Sequence, residues 1–314
     1  MPQLRSFDAR EINDLVSMSA AITVLRDCFA KRPSHIARQQ YGVAGGEFLL
    51  MPAVDADAAG IKLIMVQPKN AERGKPIIQG TYVLFDAEAG SPLALLDGAA
   101  LTTIRTPAVS AVATDALART EVNTLGIIGS GPQAFGHIEA MLCVRPTLNS
   151  IVLASRTRAN AQSLADNLAA RGALPAGVSI RVGDYAQAAA CDIVCTGTRA
   201  TEPILNAAMV SPGTHINAVG SYRTDMRELS TDLVAASTVV VDDLHAAHDE
   251  AGDLELAAAD GGWNWDRVAG DLAAVAAGQL RRQNDTEITF FKSVGLAVQD
   301  LVIARHVCAA AGLL

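Results

Sequence analysis

The chain has 314 residues, half of them hydrophobic, with 25 glycines, 5 cysteines and a formal net charge of −8 at pH 7. That length suits two medium domains with a sizeable core, and an acidic balance without a lysine or arginine block argues against a nucleic-acid partner. No uninterrupted apolar run reaches membrane-spanning length and the N-terminus lacks the apolar core of a signal peptide, so a soluble protein of the cytoplasm is expected.

Residues 8–32 place Ile12, Leu15, Ile22, Leu25 and Phe29 at helical spacing, which predicts one or two helices ending before Pro33. Strands are expected at 47–52, 61–66, 77–86 and 93–96, with turn chemistry at 87–91, forming an antiparallel meander. Lys62 interrupts the apolar run IKLIMV. A buried ammonium is costly unless paired or discharged, so Lys62 is either tied to a carboxylate for structure or poised to work on a substrate. Further on, Thr106 suits an N-cap and Pro107 a first helical turn, which would set Arg105 at the positive end of a helix. A guanidinium beside unbonded N–H groups makes a carboxylate or phosphate site, the alternative being an arginine that caps a neighbouring element. Lys62 and Arg105 together suggest a small anionic substrate.

The stretch 124–134, TLGIIGSGPQA, runs from an apolar strand through a tight turn into a helix start. Gly129 allows the turn, Gly131 lets the backbone approach a pyrophosphate, and Ala134 lets the helix pack on the strand, with Ser130, Pro132 and Gln133 completing the cradle. Alone, this pattern is weak. The run SIVLASRT then supplies a second strand where a mononucleotide-binding half requires one. Its end, Ser155, Arg156, Thr157 and Arg158, offers no carboxylate for a ribose 2′-hydroxyl, so NADP(H) is favoured and NAD(H) is the alternative. A solvated basic turn is the plainer reading of Arg156 and Arg158.

Beyond it, strands at 150–154, 179–182, 192–196, 215–219 and 238–242 alternate with Ala-rich helices. Thr196, Thr198 and Val219 fall at carboxyl ends, where such sheets bind ligands. The acidic stretch 254–283 says little. The strand-like ITFF and an amphipathic helix through Val298 and Leu301 close the chain and are expected to pack on the first domain. The expected fold class is therefore α/β: a Rossmann-type doubly wound sheet at 119–287 plus a discontinuous α+β dimerisation and substrate domain at 1–118 and 288–314. Five scattered cysteines read as reduced core thiols. His245 and His248, beside Asp249 and Glu250, read as an acidic solvated helix face, and no metal is expected.

Motifs in register along the chain, MPA at 51–53, IKLIMVQPKN at 61–70, GSPLALLDGAALTTIRTPAVSAVA at 90–113, GIIGSGPQA at 126–134, INAVGSYRTDMREL at 216–229 and FFKSVGLAVQDL at 290–301, resemble the ornithine cyclodeaminase and mu-crystallin family. The resemblance implies a homodimer with a nicotinamide-binding Rossmann domain. It implies that Lys62 is the substrate lysine, that Arg105 and Arg38 bind the substrate carboxylate, and that Lys292, Ser293 and Gly295 approach the nicotinamide. Two departures count against ornithine. Leu49 stands where true cyclodeaminases carry an acidic residue, and Tyr222 replaces an Asp of their substrate loop. Asp225 instead resembles the version in ketimine reductases and is a proton-relay candidate. The expected activity is NAD(P)H-dependent reduction of an imine next to a carboxylate, or the reverse amino-acid oxidation. Ornithine cyclodeamination and a non-catalytic crystallin-like nucleotide-binding protein are the alternatives.

Overall fold

Period-two alternation between residues 46 and 97 and continuous apolar strands beyond residue 124 sort the chain into two different sheets. The computed structural model describes residues 4–314; Met1, Pro2 and Gln3, part of the N-terminal stretch read for a signal peptide, lie outside the described residues. Two compact units result. One takes the chain up to Thr106 and again from Leu296 to Leu314, and the other runs from Pro107 to Gly295.

The first unit opens with β1 (Arg5–Phe7), α1 (Ala9–Leu15) and α2 (Met18–Phe29). Asp8 and Glu11 form a capping box on α1, and the Ser17 side chain caps α2. There follow β2 (Gln39–Val43), β3 (Gly46–Val54), β4 (Ala58–Val66), β5 (Ile78–Asp86) and β6 (Pro92–Asp97), ordered β1-β6-β5-β4-β3-β2 in one sheet. The meander is antiparallel, and β1 adds to β6 in parallel. Both edge strands are short and mostly exposed, so neither leaves an apolar period in the sequence. Alternation sends Leu49, Met51, Lys62, Ile64, Tyr82 and Leu84 to the buried face. Gly60 is required there, because a Cβ at that position would lie 2.1 Å from Tyr82 Oη.

Helix α3 (Gly98–Leu117) corrects one expectation: it starts at Asp97, whose Oδ1 accepts from Ala100 N at 2.8 Å, and it continues straight through Pro107. Arg105 is thus two turns inside a helix and meets no helix N-terminus. The proline withdraws one backbone bond at a cost of about 3 kcal/mol. Burial of Leu101, Ile104, Ala108 and Val109 offsets it.

The second unit contains β7 (Thr124–Ile128), α4 (Pro132–Val144), β8 (Ser150–Ala154), α5 (Arg158–Ala170), β9 (Ser179–Val182), α6 (Tyr185–Ala189), β10 (Ile193–Thr196), β11 (His215–Ala218), α7 (Thr231–Ala236), β12 (Ser237–Val241), α8 (Leu244–Glu250), α9 (Gly252–Ala259), β13 (Val268–Asp271), α10 (Leu272–Ala276) and β14 (Ile288–Lys292). Its sheet is parallel throughout, in the order β13-β12-β14-β11-β10-β7-β8-β9. From β9 to β14 this is the order of a dinucleotide-binding sheet, extended by β12 and β13. The ITFF strand lies inside this sheet, between β11 and β12, and is buried on both faces. That burial moves the expected boundaries. The second unit ends at Gly295 rather than 287, and it begins at Pro107, within α3, rather than at 119.

The final helix, α11 (Ala297–Ala310), returns to the first unit and packs on β3, β4, β5 and α2. Arg305 anchors it to Asp55 and Asp57, at 2.6 and 2.7 Å. No helix among the described residues is long and apolar enough to cross a membrane. All five cysteines are free thiols: Cys191, Cys195 and Cys308 are buried, Cys28 is half-buried and Cys143 is exposed.

Candidate active site

The buried face of the first unit gathers charge. Lys62 is fully buried, and its Nζ donates to Asp300 Oδ2 at 2.7 Å and to Thr102 Oγ1 at 3.1 Å. Thr102 and Arg105 lie one turn apart on α3, and Gln299 and Asp300 are consecutive on α11. Arg105 Nη1 donates to Gln299 Oε1 at 2.9 Å, and its Nε stands 3.7 Å from Asp300 Oδ1. Asp300 therefore sits between both cations. Burial pushes the Lys62 ammonium down to about 7; Asp300 pulls it back up, while Arg105 and Arg38 repel it further. Arg38, half-buried just before β2, is thus felt at Lys62. Among the described residues, Tyr82 Oη, Gln299 Nε2 and Asp300 Oδ1 are buried here without a hydrogen-bond partner. Buried polar atoms are ordinarily paired, so these leave hydrogen-bonding capacity open beside the two cations. Sequence reasoning found both cations and missed Asp300 and Gln299, whose only signal was a polar pair on the apolar side of a helix.

In the second unit Gly129 has φ +123°, and a Cβ there would lie 2.8 Å from Gly197 O. Gly131 is the N-cap of α4, without a side-chain cap and followed by Pro132 at the first helical position. A Cβ on Gly131 would meet nothing within 4 Å. That open backbone, at the positive end of a helix, fits a pyrophosphate. A shallow recess lies alongside, lined by residues that include Gly129, Gln133, Ala134, His137, Thr196 and Gly197. Burial pushes the His137 ring down to about 4, so it is neutral; its Nδ1 donates to Gln133 O at 2.8 Å, and its Nε2 accepts from the Ser110 hydroxyl at 3.1 Å. Ser130 Oγ and Ser155 Oγ are 3.0 Å apart, joining the turn to the end of β8, while Arg156, Thr157 and Arg158 are exposed. These residues fit a nicotinamide dinucleotide.

Other expected cofactor residues have commitments of their own. The hydroxyls of Thr196 and Thr198 donate to Glu228, at 2.9 and 2.7 Å, and its carboxylate also accepts from Thr198 N and Gly220 N. Val219 stays half-buried at the end of β11. Lys292 is fully buried, with three acceptors: Ser221 O at 2.6 Å, Ser221 Oγ at 2.5 Å and Asp253 Oδ2 at 2.9 Å. Its ammonium is saturated. The Ser293 hydroxyl and the N–H groups of Val294 and Gly295 all donate to Asp242 Oδ2. Asp225 is exposed and paired with Arg223 at 2.6 Å, which holds its carboxyl low. His248 stacks on Trp265 with ring centroids 3.7 Å apart, on an exposed face.

The model of the ornithine cyclodeaminase/mu-crystallin family matches residues 8–311. The chain belongs to this family. A Delta(1)-pyrroline-2-carboxylate reductase from Bacillus cereus is 39% identical over 308 residues, 95% of this chain and 94% of that protein. The Thermococcus litoralis Delta(1)-pyrroline-2-carboxylate reductase, solved with NADH and L-proline, superimposes with a TM-score of 0.92 at 31% identity, covering 98% of this chain and 97% of that one. An archaeal alanine dehydrogenase dimer with bound NAD superimposes with a TM-score of 0.91 at 29% identity, over 98% of this chain and 96% of that one. Family membership thus accords with the motifs, with the two-sheet fold and with the glycine turn.

Proposed function

We propose that this protein is an NAD(P)H-dependent reductase of small imines that carry a neighbouring carboxylate, with Δ1-pyrroline-2-carboxylate the first candidate, and that it also runs the reverse oxidation of the amino acid. The carrying observation is the buried set Lys62, Arg105 and Asp300 with Arg38 in electrostatic range. Arg105 and Arg38 bind the carboxylate and so orient the C=N bond. Lys62, able to hold or release a proton near neutral pH, protonates the imine nitrogen and makes its carbon electrophilic. Hydride to that carbon is what the dinucleotide supplies when bound. Asp225, exposed and paired with Arg223, is given no step.

NADP(H) is the favoured cofactor, because β8 ends in Ser155, Arg156 and Thr157 without a carboxylate; the solved neighbours carry NADH and NAD. Leu49, buried and apolar, offers nothing to a distal amine, which disfavours ornithine. The outward face of the first unit's sheet is apolar, with Phe48, Leu50, Ile61, Leu63, Met65 and Val83 all partly exposed, and a homodimer burying it is the proposed assembly. A spectrophotometric screen of cyclic imino acids with each reduced cofactor tests the reading. Consumption of cofactor only with carboxylate-bearing imines supports it, and turnover of L-ornithine without net oxidation of cofactor overturns it in favour of cyclodeamination.

A further inference from the structure

Three buried carboxylates crowd the carboxyl edge of the large sheet against one buried ammonium. Glu228 spans the ends of β10 and β11 through Thr196 Oγ1, Thr198 N, Thr198 Oγ1 and Gly220 N. Asp253 accepts from Glu228 N at 2.6 Å and Leu229 N at 2.9 Å, from the Ser221 hydroxyl, and from Lys292. Asp242, at the end of β12, accepts from Asp243 N, Ser293 Oγ, Val294 N and Gly295 N. All three side chains are at most 2% exposed, and the only ion pair they make among the described residues is that of Asp253 with Lys292. The nearby Arg227 is neutralised by Asp260 at 2.9 Å.

Burial pushes Glu228 and Asp242 up, and Asp253 raises Glu228 further, whereas Lys292 holds Asp253 low. Against that stand the backbone N–H groups, two on Glu228, two on Asp253 and three on Asp242, which can only donate and so favour the ionised form of each. With all three ionised, the cluster carries an excess of two negative charges in a buried interior. The location is specific. With the glycine turn after β7 and the ribose-reading end on β8, the other mononucleotide half of such a sheet, the nicotinamide half, falls to the β10 and β11 side. Thr196 both lines the recess and donates to Glu228, so the charge stands one side chain behind the recess wall. Oxidised nicotinamide carries a ring cation and reduced nicotinamide does not, and a fixed excess of two negative charges acts strongly in a buried site.

We infer that Glu228, Asp242 and Asp253 bias the bound cofactor toward its oxidised form, and with it the equilibrium on the protein toward imine reduction, which leaves the cofactor oxidised, relative to a neutral site of the same shape. The inference rests on the reading that the glycine turn holds a nicotinamide dinucleotide. The test is direct titration of the full-length protein with oxidised and with reduced cofactor, followed by protein fluorescence or calorimetry, for the parent, Glu228→Gln and Asp242→Asn. In each variant the ratio of the dissociation constant of the oxidised form to that of the reduced form should rise at least about fivefold, the direction set by losing one negative charge. The two substitutions lie on different loops, so the second carries the test if the first does not fold. A structural role alone would weaken both forms alike. A ratio within about twofold of the parent in the folded variants overturns the inference. Failure of the parent to bind either form overturns the dinucleotide reading instead.

Discussion

Replacing Asp300 with asparagine keeps the shape of the buried cluster and removes the one anion between its cations. At 2.7 Å from Lys62 Nζ and an effective dielectric of about 20, the pair interacts by about 6 kcal/mol. Even a third of that, about 2 kcal/mol, corresponds to about 1.5 pKa units. Lys62 already stands at about 7 because burial outweighs Asp300. In Asp300→Asn its protonated fraction at pH 7 should fall from about half to about 3%, and kcat/KM for imine reduction should drop about fifteenfold. The sign follows from the depressed lysine: the reductive reaction needs the ammonium, so activity is retained below the Lys62 pKa and lost as pH rises through it. The substitution moves that descending limb to lower pH. Because Lys62 can discharge once its partner is gone, the stability loss should stay below the 3–5 kcal/mol of a stranded buried charge. The assay is kcat/KM against pH for parent and variant. Superimposable profiles would refute both the proton role of Lys62 and its control by Asp300.

Arg105→Lys keeps the charge but loses the planar fork that meets Gln299 and a carboxylate. Its kcat/KM should fall at least about tenfold, or about 1.4 kcal/mol of transition-state stabilisation, with cofactor affinity nearly unchanged in a binding titration. Arg156→Ala should weaken NADPH selectively, by about 1–3 kcal/mol; equal loss for NADH in the same titration would remove Arg156 from the 2′-phosphate. Leu63→Glu places a charge on the outward sheet face and should turn a dimer into a monomer by light scattering, whereas a parent that is already monomeric at micromolar concentration contradicts the assembly.

The large sheet was legible because buried parallel strands are apolar runs and GSGPQA punctuates the first of them. Lys62 was legible as a charge inside IKLIMV, and period two sent it inward. Pro107 misled, because its usual place in a first turn is a local preference that burial of the surrounding helix overrode. Asp300 was hidden for a different reason. Its partner is 238 residues away, and nothing along α11 distinguishes a carboxylate that meets a lysine from one that meets water. The same holds for Glu228 and Asp253, which a sequence shows as ordinary charges of a loop and a helix start. ITFF was seen as a strand, but strand pairing is tertiary, and its place between β11 and β12 moved the unit boundary.

The central claim is hydride transfer to the carbon of an imine held by its carboxylate. The most direct measurement uses NADPH bearing deuterium at both C4 positions of the nicotinamide, with Δ1-pyrroline-2-carboxylate as acceptor, and reads the product by NMR. The account predicts proline bearing one deuterium at Cα for each cofactor oxidised. Proline formed from L-ornithine with ammonia release, no net cofactor oxidation and no deuterium drawn from added NADPH would contradict it.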